Sequence, residues 1–282
     1  MGYPKIDDEY DSRYRVVRRI GRGGTGVVFE AVDTVLNRPV ALKIVLAPSP
    51  DRDDFHGRFA RAASALAHVR SRNIAGLLEH GEYDGTVYLV TDYFPDGDLR
   101  GWLGGHGPLE RRAALSLVSQ VCEALADAHA SGVIHRDVHP GNVLLRSRPE
   151  GLVPYLGDFG VALDSPGALL GSPAYMAPER HFGHAADERG DVYSAGCLLW
   201  AALGGDAPYS GTDFQMVSSH SNAPIPQLGT GDPIDDRIDE VLTAALNKDP
   251  ERRFQSARDL REALLEIIRA IDAGRVVSGR GV

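Results

Sequence analysis

Residues 135–142 read HRDVHPGN, set inside the apolar frame IHRDVHPGNVLL of residues 134–145. Asp137 and Asn142 stand five positions apart. An Asp carboxylate can accept a proton from a hydroxyl nucleophile. An Asn oxygen suits a hard dication such as Mg2+, which takes carboxylate, amide, water and phosphate oxygens. A second donor of that kind, Asp158, follows in LGDFGVA (156–162). His139 lies two residues past Asp137, where a neutral imidazole offers a hydrogen-bond donor but little charge near neutral pH. Short strand-like segments around residues 133–161 frame this loop.

Working outward, GRGGTGVV (21–28) has the pattern G-x-G-x-x-G-x-V. Alone it also describes a glycine hairpin turn. A dinucleotide fingerprint needs a strand, the loop and then a helix, and here strands flank both sides. A glycine hairpin lets backbone N–H groups approach phosphates closely. Seventeen residues after Gly26, Lys43 lies in the apolar strand VALKI (40–44). A Lys there costs free energy unless an anion meets it or it snorkels from a strand edge. GSPAYMAPE (171–179) closes the series.

In this order the glycine loop, VALK, HRD with its Asn, DFG and APE resemble the eukaryotic-type protein kinase family over residues 14–271. The ending DPERRFQSARDLREAL (249–264) is similar to bacterial Ser/Thr members. The resemblance implies an α+β, bilobal protein kinase fold: a small β-rich N-lobe with one main helix, and a larger, mostly helical C-lobe. The expected division is an acidic tail at 1–13, N-lobe at 14–94, C-lobe at 95–272 and a Gly-rich tail at 273–282. It implies ATP with Mg2+, or Mn2+ in its place. Ile20, Gly21, Gly23 and Gly26 would line the nucleotide, and Val28, Ala41 and Leu144 would sandwich adenine. Thr91 would be the gatekeeper, the backbone of Asp92 and Phe94 would meet the adenine edge, and Asp98 would reach the ribose. Lys43 would hold the α/β-phosphates, Asn142 and Asp158 the metal, and Asp137 the substrate hydroxyl. The Ser172 hydroxyl would bridge toward Asp137. Asp191 would support the catalytic-loop backbone, and Arg253 would pair with Glu179.

The sequence departs from that family at three places. The family pairs its strand Lys with a Glu on the next helix, where RFARAAS (58–64) puts Ala62. No Glu occurs from residue 31 to 78, and only Asp51, Asp53 and Asp54 lie near the helix start. His139 replaces the Lys that contacts the γ-phosphate in Ser/Thr kinases. HPGN instead is similar to small-molecule kinases that use HGD-x-HPGN. Between Gly160 and Gly171, VALDSPGALL holds one hydroxyl, Ser165, beside Asp164. Phosphorylation of that loop, which Arg136 would meet, is therefore expected to be weak or absent as regulation. Three readings follow: a slow Ser/Thr protein kinase, a pseudokinase serving as a nucleotide-binding or interaction module, and a small-molecule kinase.

Composition narrows the rest. The net charge of −9 argues against a nucleic-acid partner. Cys122 and Cys197 lie in apolar helical runs, which reads as two buried thiols. MGYPKIDDEYDSRY lacks the apolar core of a signal peptide. The run AGCLLWAALGG (195–205) is too short to span a bilayer. The expected setting is cytoplasmic, with ATP, a protein substrate or signalling partner, and a homodimer among the partners. Apolar spacing predicts helices over 52–70, 109–132, 187–204, 211–220, 234–247 and 256–272, and a strand over 87–94.

Overall fold

The structure is a computed structural model and describes residues 3–23, 26–46, 52–159 and 172–278. They divide into two compact units, one of 3–69 and 75–95, the other of 70–74, 96–159 and 172–278. The first unit opens with β1 (Glu9–Tyr10), β2 (Tyr14–Gly23), β3 (Gly26–Asp33) and β4 (Arg38–Val45). Then come α1 (Arg52–His68), β5 (Leu77–Tyr83) and β6 (Thr86–Asp92). They form one antiparallel sheet of order β1-β2-β3-β4-β6-β5. Alternation decides which face is core: Tyr14 and Val16, then Val27, Phe29 and Ala31, then Val40, Leu42 and Ile44 are buried together. Phe55, Phe59, Ala63 and Leu66 bury one stripe of α1. The β3–β4 turn is closed by Asp33, which accepts from the amides of Val35 (3.0 Å) and Leu36 (3.1 Å).

The second unit begins at residue 70 because Asn73 joins it. Its side-chain amide donates to the Pro154 carbonyl (2.9 Å), and its own carbonyl accepts from the Leu156 amide (2.7 Å). The unit continues with α2 (Leu99–His106), α3 (Arg111–His129), β7 (Val143–Arg148) and β8 (Gly151–Leu156). It ends with α4 (Pro178–His181), α5 (Glu188–Gly204), α6 (Asp213–Asn222), α7 (Pro233–Ala245) and α8 (Ala257–Ser278). α5 is buried along almost its whole length, with Asp187 as N-cap and Gly205 (φ 91°) after its last turn. α3, α7 and α8 contribute Leu115, Val121, Leu242 and Leu264, each fully buried, to the same core.

Three differences from the sequence reading have simple causes. Residues 9–10, expected in a loose tail, pair as β1, and Tyr10 is buried against Tyr88 (5.5 Å). β5 was absent from the expectation because LLEHGEY mixes its polarity. Its signal was Asp84-Gly85, both at positive φ, which close a two-residue hairpin to β6. α8 runs to Ser278 rather than 272. Cys122 and Cys197 are buried, free thiols. Among the described residues no helix is long and apolar enough to cross a membrane.

Candidate active site

The loop 135–142 hangs from a single buried carboxylate, Asp191 in the first turn of α5. Its Oδ1 accepts from the Arg136 amide (2.8 Å), and its Oδ2 from the His135 amide and His129 Nε2 (each 2.8 Å). Burial pushes Asp191 up, but the His129 N–H and the neighbouring His135 hold it below the usual carboxylate range. These bonds fix Arg136 in the left-handed region (φ 69°), a conformation that costs a side-chain-bearing residue about 1 kcal/mol or more. His135 then links two loops. Its Nδ1 accepts from the Asp137 amide (3.2 Å), Nε2 donates to the Gly157 carbonyl (3.0 Å), and its ring lies 4.5 Å from Phe159.

Asp137 is held on every side. Its Oδ1 accepts from the Ser172 amide (2.9 Å), while Asn142 Nδ2 donates to its carbonyl (2.8 Å) and, longer, to Oδ2 (3.4 Å). His139 Nε2 faces Oδ2 at 3.5 Å. Burial alone would push this carboxyl up; the His139 N–H and the Ser172 amide outweigh it and keep it below its ordinary value. Asp137 is thus an ionised acceptor in a largely dry place. The contact from Ser172 is a correction: the main-chain amide, not the hydroxyl, reaches Asp137. His139 also caps the turn Pro140–Asn142, its Nδ1 accepting from the Gly141 amide (3.0 Å). Because Asn142 Nδ2 is committed to Asp137, its Oδ1 is the atom left to meet a cation. Asp158 is exposed and held at φ 55°. Two such oxygen donors fit a hard divalent cation.

The first unit carries the other half of the predicted nucleotide set. Val28 pairs with Lys43, Lys43 with Leu89, and Ala41 with Thr91, so Val28, Ala41, Lys43 and Thr91 share the sheet face opposite the core. Gly21 pairs with Val28 and Gly23 with Gly26, and Ile20 is exposed beside them; loop tip residues 24–25 lie outside the described residues. Gly26 is demanded by strand packing, since a Cβ there would stand 2.2 Å from the Ile44 carbonyl oxygen. The Asp92 amide already donates to the Gly76 carbonyl (3.2 Å), so a ligand cannot use that donor. Phe94 is buried. In the second unit, Asp98 is the N-cap of α2, accepting from the Gly101 amide (2.8 Å), and its backbone bridges Leu144. Ala62 sits half-buried one turn before buried Leu66 on α1.

Glu179 and Arg253 form the expected pair, bidentate at 2.7 Å for both bonds, with the Arg guanidinium fully buried. Sequence reasoning missed Arg180 and Arg100. Burial first, then the Arg136 charge, pushes the Arg180 guanidinium down, marking two cations crowded together. The only trace of Arg100 in the sequence is its place two residues after a helix cap. Asp164, Ser165 and the rest of 160–171 lie outside the described residues.

The profile of the protein kinase domain matches residues 14–264. The chain is 35% identical over 270 residues to the serine/threonine-protein kinase PknE of Mycobacterium bovis, covering 93% of this chain and 47% of that protein. It is 36% identical over 231 residues to a probable serine/threonine-protein kinase, pknA2, of Bifidobacterium longum, covering 78% and 30%. The chain therefore spans less than half the length of these curated relatives. The crystal structure of the Mycobacterium tuberculosis PknI kinase domain superposes with a TM-score of 0.75 at 28% identity, covering 94% of this chain and all of that one.

Proposed function

We propose, from the premise that this chain belongs to the protein kinase domain family, that it transfers the terminal phosphate of ATP to Ser or Thr hydroxyls of a protein, its own included. The observation that carries this reading is Asp137: a carboxylate kept ionised, oriented by the Ser172 amide and tied to Asn142. In the step, the hydroxyl oxygen bonds to the γ-phosphorus, the bridging oxygen leaves with ADP, and the hydroxyl proton passes to Asp137. Lys43 would hold the α/β-phosphates, with Val28, Ala41 and Leu144 against adenine, Ile20 and the glycines Gly21, Gly23 and Gly26 along the nucleotide, and Thr91 as gatekeeper. Asn142 Oδ1 and Asp158 would hold a divalent cation, Mg2+ or in its place Mn2+. When bound, that cation neutralises charge on the phosphate oxygens. Asp98, already committed as a helix cap, has one carboxylate oxygen engaged and the other to offer a ribose. The same reading puts the domain in the cytoplasm with a protein substrate or signalling partner and allows a homodimer, which light scattering would read.

The test is transfer of γ-labelled phosphate to a generic Ser/Thr protein substrate. Wild type is expected to label it, and Asp137→Asn to lose about 10²-fold or more of the rate. Equal labelling by both would remove Asp137 from the reaction. The pseudokinase reading draws on Ala62, and a nucleotide-dependent rise in thermal midpoint without any label would favour it.

A further inference from the structure

α2 is anchored by buried Leu99 and Leu103, which leaves Arg100 on its exposed side. The Arg100 guanidinium nevertheless turns back to the catalytic loop, with Nη2 3.0 Å from His139 Nδ1. The same Nδ1 lies 3.0 Å from the Gly141 amide. Both partners are permanent donors, so this nitrogen must carry the lone pair and the neutral ring must hold its proton on Nε2. Nε2 is the atom that faces Asp137 Oδ2 at 3.5 Å. Among the described residues Arg100 forms no ion pair with a carboxylate, and its guanidinium is directed to His139. Room for the guanidinium comes from Gly141, where a Cβ would stand 2.9 Å from both Arg100 Cζ and His139 Cε1. The charge is also felt at the neighbouring 3₁₀ turn, Pro173–Tyr175: burial pushes the Tyr175 phenol up to about 12, and Arg100 pulls against it.

We propose that Arg100 and His139 together replace the Lys that the family carries two residues after its catalytic Asp. Arg100 brings the positive charge. By donating to Nδ1 it also fixes His139 as an Nε2–H donor beside Asp137, where the transferred phosphate passes. Arg100 is a positioning residue in this arrangement, acting through His139. The inference rests on the kinase reading above.

The experiment measures kcat and KM for ATP in wild type, Arg100→Met, Arg100→Lys, His139→Lys and the Arg100→Met/His139→Lys double variant. Arg100→Met is expected to lower kcat by about 10–10²-fold, the range for groups that orient a reacting residue, with KM changed by no more than about twofold. Arg100→Lys keeps the charge and is expected to recover most of the loss. In the His139→Lys background, Arg100→Met should cost less than about threefold, because the ammonium already supplies the charge. An equal loss from Arg100→Met in both backgrounds, a rise in KM alone, or no loss at all overturns the proposal. Transfer by His139→Lys but not by wild type also overturns it, while leaving the kinase chemistry of the scaffold intact. Transfer by neither overturns the kinase reading itself, and this inference with it.

Discussion

At the scale of single residues, chemistry dictated what could be read. Asp137, Asn142 and Asp158 stand out in the sequence because few side chains suit proton acceptance and hard-cation binding, the roles proposed for them. Ser172 was misassigned at the atom level, since a sequence shows a hydroxyl but not which amide a backbone turns toward Asp137. Arg100 was illegible for the same reason: its partner lies 39 residues away and is met only once α2 is docked. Ala62 gives the most direct prediction at this scale. By the resemblance it occupies the helix position of the Glu partner of the strand Lys, one turn before buried Leu66. Ala62→Glu is expected to raise kcat by about tenfold or more, since positioning one charge is worth a few kcal/mol in such pairs. Steady-state peptide phosphorylation measures this, and an unchanged or lower kcat would show that Lys43 is already well held.

At the scale of elements, α5 is the post from which the catalytic loop hangs. Asp191 satisfies two main-chain amides and a His ring at once. Asp191→Ala strands these buried donors and is expected to destabilise by about 3 kcal/mol or more. It should also release Arg136 from its left-handed backbone, so activity should fall further than the loss of folded protein explains. Urea unfolding read beside activity separates the two, and a fall in activity that only tracks folding would deny Asp191 its positioning role. Arg253→Met leaves Glu179 in a closed site without its partner, with an expected cost of about 3–5 kcal/mol. Calorimetry would read that loss, and a cost below about 1 kcal/mol would show that the pair is dispensable. Both residues were legible because each sits in a recognisable local string. The strand β5 was not, since its residues lack clean alternation and its evidence was the Asp84-Gly85 turn alone.

At the scale of the whole molecule, the order of strands and helices was largely legible, because periodicities of two and near four survive in sequence. The excursion of residues 70–74 into the second unit was not, since it depends on Asn73 bonds to a distant strand. Acid stability is also a property of the assembled fold. His220 is fully buried, bonded through Nδ1 to Tyr193 (2.8 Å), with Tyr209 4.9 Å and His181 5.7 Å away by ring centroids. Burial, then the His181 and Lys248 charges, push it down to about 4. Burial also lowers His181, with Arg180 beside it, and takes Lys248 down to about 8, so Lys248 stays mainly charged at acid pH. The unfolded chain binds the His220 proton from its ordinary value of 6.5 and the folded chain only near 4, so stability is lost as pH falls through that window. The loss from His220 is about 3 kcal/mol. His220→Gln should flatten the fall of thermal midpoint with acid, and an unaltered slope would exclude His220 as its source.

We propose that this scaffold, with Ala62 and His139 where the family carries two charges, still transfers phosphate with Asp137 accepting the hydroxyl proton. Mass spectrometry of the purified chain after incubation with ATP and Mg2+, beside Asp137→Asn, tests it most directly. Phosphate on Ser or Thr is expected in wild type, and about 10²-fold less, or lower still, in the variant. An unmodified wild type, stabilised by nucleotide to the same degree as Asp137→Asn, would contradict it.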